Sequence, residues 1–174
     1  MEQKRKLPIK INLLKTEPRR NRKVKPEIVH EEHNSIVSSF VIAIEPKMQN
    51  MISFQIKKTE AISSSADRRI VGYDYRGKGY GRAILEKAEK VAKEHGAKKF
   101  VFEGWKSSTM RLLLNNKYRI VNREEIKNAF GSDKLIFPTH PGEDVQVLLP
   151  NGKRESIYQK KDGKQILLIV EKEL

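Results

Sequence analysis

Three glycines spaced two apart, Gly77, Gly79 and Gly81, stand among Arg76, Lys78 and Arg82. Glycine lets a backbone bend tightly and approach a ligand with no Cβ in the way. If a helix starts just after such a turn, its first amides have no partner in the helix, and with the helix dipole they favour an anion. Three cationic side chains add charge at the same point. Such a nest suits a diphosphate. Two familiar phosphate motifs do not fit it. A P-loop needs Ser or Thr after its lysine, and Gly79 follows Lys78. The dinucleotide fingerprint Gly-x-Gly-x-x-Gly finds Arg82 or Ile84 where its third glycine is required.

The residues around the turn read as the elements that would hold it. Ile70 to Tyr75 is a short strand entering the turn. After it, Ile84, Ala88, Val91 and Ala92 recur on one face of a helix that stops at His95-Gly96. Lys99 to Glu103 is the next strand, so the three elements form a right-handed β-α-β crossover with its strands parallel. Upstream, Phe40, Ile42 and Ile44 alternate with one set of neighbours and Ile52, Phe54 and Ile56 with another, which reads as an antiparallel pair. Leu7 to Leu14 is a short extended run. Thr59 to Arg69 is polar and serine-rich and reads as a loop. Downstream, Thr109 to Asn116 reads as a helix, Tyr118 to Val121 as a strand and Arg123 to Phe130 as a last helix. The turn signals Asn151-Gly152 and Asp162-Gly163 then divide residues 145–170 into a three-stranded antiparallel meander.

With the turn in place, the chain resembles the GNAT family of N-acetyltransferases. Its hallmark, Arg/Gln-x-x-Gly-x-Gly/Ala, is met by Arg76-Gly77-Lys78-Gly79-Tyr80-Gly81, and Val71 stands where the family has valine upstream. Tyr73 stands where the family commonly has proline. The resemblance covers about residues 36 to 121. It implies a three-layer α+β fold with a central mixed, mostly antiparallel, twisted sheet, one parallel β-α-β unit and helices on both faces. It implies acetyl-CoA as cofactor, with Val71, Gly72 and Tyr73 along the pantetheine arm and Arg76, Gly77, Lys78, Gly79, Tyr80, Gly81 and Arg82 around the pyrophosphate. The activity implied is acetyl transfer to a primary amine. Glu103, at the end of a strand beside the cleft, is the first candidate for general base, Asp74 the second, and Tyr73 a candidate proton donor. The family's second-helix tyrosine, which serves as general acid, is replaced here by Leu113, and its glycine by Lys117. That substitution keeps open a module that holds coenzyme A with little chemistry. Ser107 and Ser108 could cap the second helix or donate to the cofactor.

Composition bounds the remainder. A chain of 174 residues fits one domain (1–174), with a basic amino-terminal region (1–35), a core (36–130) and the carboxy-terminal meander (141–174). There is no cysteine, which excludes disulfides, thiolate metal sites and a cysteine nucleophile. The four histidines lack metal-ligand spacing, and no metal is expected. No run approaches the roughly 18 apolar residues of a membrane span, and no signal-peptide core follows Met1 to Lys6, so a cytoplasmic location is the expectation. The net charge is +14, and residues 1–30 hold ten Lys or Arg against three Glu. Arg19, Arg20, Arg22, Lys23 and Lys25 are its densest patch. A positive surface of that kind attracts polyanions, so nucleic acid, the ribosome, or an acidic or macromolecular acceptor are the partners it brings to mind.

Overall fold

The computed structural model describes residues 11–16, 38–44, 51–64, 68–69, 79–140, 142–161 and 163–174. The strand expected at 70–75, residues 70–78 of the turn, the basic run 19–25 and the prolines at 18 and 26 lie outside them.

The central sheet is mixed, with helices packed on both faces. Its strands are β1 (Ile11–Thr16), β2 (Ser38–Ile44), β3 (Met51–Lys57), β4 (Glu60–Ser64), β5 (Arg68–Arg69), β6 (Lys99–Gly104), β7 (Arg119–Ile120) and β13 (Leu168–Glu173). Their order is β1-β2-β3-β4-β6-β13-β7, with β5 beside β3. All neighbours are antiparallel except β4 and β6, which run parallel from Glu60↔Lys99 to Ser64↔Glu103. A parallel β-α-β crossover is therefore present; its described first strand is Glu60–Ser64, inside the stretch read as a loop, while the strand expected at 70–75 lies outside the described residues. The reason is chemical. The core face of β4 carries Ala61 and Ser63, and serine hides an alternating pattern. Ser63 is buried because its hydroxyl donates to Ser53 O at 2.8 Å. β4 also breaks register against β3. Gln55↔Ile62 continued would put Ser65 opposite Ile52, yet Arg68 stands there, so the register against β3 shifts by three residues between β4 and β5.

Small side chains on β4 have a packing role. Phe54 of β3 and Phe100 of β6 reach over it, with ring centroids 5.0 Å apart. They belong to a row that runs from Phe40 through Phe54, Phe100 and Phe102 to Tyr118, with successive centroids at 5.3, 5.0, 4.6 and 5.4 Å. These offset and edge-on contacts add to the area they bury. Helix α1 (Tyr80–Glu94) lays Ile84, Leu85, Ala88, Val91 and Ala92 into the same core. It stops as expected: His95 is the C-cap, its Nδ1 lies 2.8 Å from Val91 O, and Gly96 takes φ +89°. Near the middle of α1, Glu89 accepts the Tyr118 hydroxyl at 3.0 Å and Lys172 Nζ at 3.0 Å, tying α1 to β13 and to the residue before β7.

Helices α2 (Ser107–Asn115) and α3 (Arg123–Phe130) match the expected positions within two residues. The carboxy-terminal region is arranged differently from a simple meander. Asn151-Gly152 does turn one strand, β9 (Gln146–Leu148), into the next, β10 (Arg154–Ser156). Their third partner, however, is β8 (Leu135–Ile136), from before the expected region. β11 (Lys160–Lys161) and β12 (Lys164–Gln165) form a separate hairpin, and β13 enters the central sheet between β6 and β7. Asn122 helps fix that insertion. Its Oδ1 accepts Ile169 N–H at 3.0 Å and its Nδ2 donates to Leu167 O at 2.7 Å, so a buried side chain continues the strand ladder. No described helix is long and apolar enough to cross a membrane.

Two outcomes are expected. Ala61→Leu forces Phe54 and Phe100 apart and lowers unfolding free energy by about 1–3 kcal/mol in urea titration. Tyr118 is held protonated by burial first and then by the charge and hydrogen bond of Glu89, well above the ordinary tyrosine range. Above about pH 10 the unfolded chain ionises this residue and the native state does not, so stability falls by about 1.4 kcal/mol per pH unit from this group. Urea midpoints between about pH 9 and about pH 11 should fall less steeply in Tyr118→Phe.

Candidate active site

In a β-α-β unit the helix N-terminus lies at the carboxyl end of the parallel strands. Here that places the start of α1, the end of β4 and the end of β6 (Glu103, Gly104) at one edge of the sheet, where open α/β sheets bind their ligands. The start of α1 fits an anion. Gly79 is its N-cap with φ +82°, a left-handed conformation that favours glycine, and Gly79 O accepts Ala83 N–H at 3.1 Å. No side chain caps this end, and its first turn holds no acidic residue. Among the described residues, the leading amides therefore have nothing negative in the first turn beside them, which is what a phosphate group requires.

The two described glycines do different jobs. A Cβ at Gly79 would meet no atom within 4 Å, so only backbone conformation demands glycine there. A Cβ at Gly81 would lie 3.2 Å from Leu112 Cδ2, so that glycine lets α1 and α2 approach. Arg82 is 69% exposed and its Nε pairs with Glu86 Oε1 at 2.9 Å, one turn further along the helix. An exposed i, i+4 pair of this kind holds a side chain weakly, which leaves the guanidinium available to an arriving anion. The backbone of Tyr80 opens α1. Val71, Gly72, Tyr73, Asp74, Arg76, Gly77 and Lys78 lie outside the described residues.

Glu103 occupies the last-but-one position of β6, on the face opposite Phe100 and Phe102. Its backbone is paired with Ser64 on one side and Ile169 on the other. Ser107 neither caps α2 nor faces a cleft: it is fully buried and its hydroxyl donates to Pro138 O at 2.6 Å. Lys106 is the N-cap of α2 and makes no side-chain cap. Leu113 is 1% exposed and belongs to the core, while its neighbour Leu112 is the residue that meets the first turn of α1. α2 thus turns leucines, which have no proton to give, toward both the core and α1.

Several features of this end of the sheet had no sequence signal. The segment after β8 returns to β6 through a bridge between Lys106 and Asp144. Lys106 Nζ donates to Asp144 Oδ1 at 2.7 Å and to Gly142 O at 2.8 Å, and Ser156 Oγ donates to Asp144 Oδ2 at 2.9 Å. Partners separated by 38 positions cannot be read from local patterns.

Residues 19–109, just over half of the chain, match the acetyltransferase (GNAT) family. The chain belongs to this family, whose class of reaction is acetyl-CoA-dependent acetyl transfer. No curated protein matches it. Among solved structures it is similar to a proposed acetyltransferase from Agrobacterium tumefaciens, at 13% identity and TM-score 0.50, covering 80% of this chain and 77% of that one. It is also similar to a Bacillus subtilis acetyltransferase in complex with CoA (14%, TM-score 0.46, 95% and 99% covered). A GNAT family acetyltransferase from Elizabethkingia anophelis with acetyl-CoA bound gives 14%, TM-score 0.46, with 94% and 98% covered.

The difference between the two glycines is testable. Gly79→Ala places alanine in a left-handed conformation at a cost of about 1–2 kcal/mol and disturbs the amides behind it. Isothermal titration should show weaker coenzyme A binding. Gly81→Ala needs only a few tenths of an ångström from a leucine methyl and should bind close to wild type.

Proposed function

We propose that this protein transfers the acetyl group of acetyl-CoA to a primary amine. The observation that carries the reading is the meeting of an uncapped, acid-free helix N-terminus with the end of β6 at the carboxyl edge of the parallel pair. When bound, acetyl-CoA supplies a thioester whose carbon–sulfur bond breaks as the carbon–nitrogen bond forms, releasing a thiolate and one proton from nitrogen. Amides at the start of α1 would hold the diphosphate, with Arg76, Lys78 and Arg82 adding charge. By resemblance to the family, Val71, Gly72 and Tyr73 would line the pantetheine arm, and a backbone amide near Val71 or Gly72 would donate to the carbonyl oxygen as negative charge develops there.

Glu103 is assigned as the base that keeps the attacking nitrogen neutral, with Asp74 as the alternative and Tyr73 as a proton donor near the thioester. Leucines on α2 leave the departing thiolate to solvent or to Tyr73. A thiol with an ordinary pKa of about 8.5 needs only modest help near neutrality. The same leucines favour a second reading, a module of this fold that holds coenzyme A and turns over slowly.

Free-thiol release across amine classes decides between them. Turnover with at least one primary amine is expected, and Glu103→Gln should lower kcat by roughly 10²–10⁴-fold while acetyl-CoA affinity holds. Co-bound coenzyme A in native mass spectrometry, without thiol release for any amine, would establish the holding module instead.

A further inference from the structure

Trp105 follows β6 directly and is the chain's one tryptophan. Its indole packs on the ring of Tyr158, with centroids 4.2 Å apart and planes tilted by 31°. Tyr158 is 45% exposed, one of two large apolar side chains so exposed among the described residues, and Trp105 is half-buried. The pair is pinned from behind. Val145 N–H donates to Trp105 O at 2.7 Å and Ile157 N–H donates to Val145 O at 2.8 Å, so three segments are laced side by side. Both Val145 and Ile157 are fully buried. A fixed aromatic surface thus stands partly in water at the carboxyl edge of the parallel pair, the same edge as the start of α1.

A second observation comes from the neighbouring segment. Glu143 Oε2 is buried and has no hydrogen-bond partner, the only such side-chain atom among the described residues. Across the Lys106–Asp144 bridge those two side chains share one side, where they form their ion pair. Alternation puts Glu143, Val145 and Trp105 on the other side. A buried carboxylate oxygen without a donor is costly, and an arriving N–H or cation relieves that cost.

From these two features we infer that Trp105 and Tyr158 form the wall that receives the acceptor, and that the acceptor is an amine bearing a flat apolar group. The rings take the flat body, and Glu143 supplies the negative partner for its ammonium on arrival, before the nitrogen gives up a proton and attacks. An ammonium beside ring faces gains further from their electrons. This narrows the acceptor away from the acidic class to which the basic amino-terminal run points. The role rests on the acetyl-transfer reading; the existence of the site does not.

The lone tryptophan makes the test direct. Emission of Trp105 is titrated with 2-phenylethylamine, n-butylamine and glutamate, with coenzyme A present, and KM for each amine is measured by thiol release. Phenylethylamine is expected to change the emission and to give the lowest KM. Tyr158→Ala should raise that KM about 3- to 10-fold relative to butylamine, with Tyr158→Phe restoring it and the Kd for acetyl-CoA unchanged. Glu143→Gln should weaken phenylethylamine binding as well. Equal KM values for aryl and alkyl amines, or an emission that no amine alters, would overturn the inference while leaving acetyl transfer intact. An emission change that depends on Tyr158, without thiol release from any amine, would keep the site and overturn the transfer reading.

Discussion

The parallel pairing of β4 with β6, five residues long in a sheet otherwise antiparallel, is the constraint on which the site depends. Two parallel strands need a crossover, and the crossover here carries the glycine turn and α1. Because α1 must run back across the sheet before β6 begins, its uncapped N-terminus and the last residues of β6 face the same way. Had β4 and β6 been antiparallel neighbours, joined by a tight turn, no crossover helix would begin at the edge where β6 ends.

That pairing has a packing cost, met by small residues. β4 passes between two phenylalanines that contact each other over it, so its core face can hold only Ala61 and Ser63. The hydroxyl of Ser63 reaches across to the backbone of β3 and so adds no unsatisfied polar group. The same economy of size recurs at Gly81, where the absence of a side chain lets Leu112 rest against the first turn of α1. Smallness at 61, 63 and 81 keeps the sheet, the crossover helix and α2 in one tight stack beneath the carboxyl edge of the parallel pair.

Local pattern carried far in this chain and then stopped. Helix α1 was legible because its apolar stripe and its Gly96 terminator are both local, and α3 because Ile126 and Phe130 share one face. The antiparallel pair β2–β3 was legible from alternating apolar residues. β4 was not, since a strand whose inward face is alanine and serine shows no hydrophobic alternation. The destination of β13 was not legible either: the run reads well as a strand, but its partners lie about 50 and 70 positions away, at Ile120 and Phe102. In the site, the glycine turn pointed to a diphosphate because such a turn is a contiguous motif, although residues 70–78 of it lie outside the described residues. The Trp105–Tyr158 pair and Glu143 belong to segments joined only in three dimensions, and each residue alone reads as ordinary surface.

β13 occupies an interior place in the sheet although it comes last among the strands. A chain emerging amino-terminus first can pair β1 through β4 and form α1 early, but β6 and β7 have no common neighbour until residues 168–173 arrive. Until then the edge of β6 is an unpaired ladder beside Phe100 and Phe102, apolar and open to other chains. The nascent protein therefore passes through a stage in which its glycine-rich segment is already synthesised while its sheet is still incomplete.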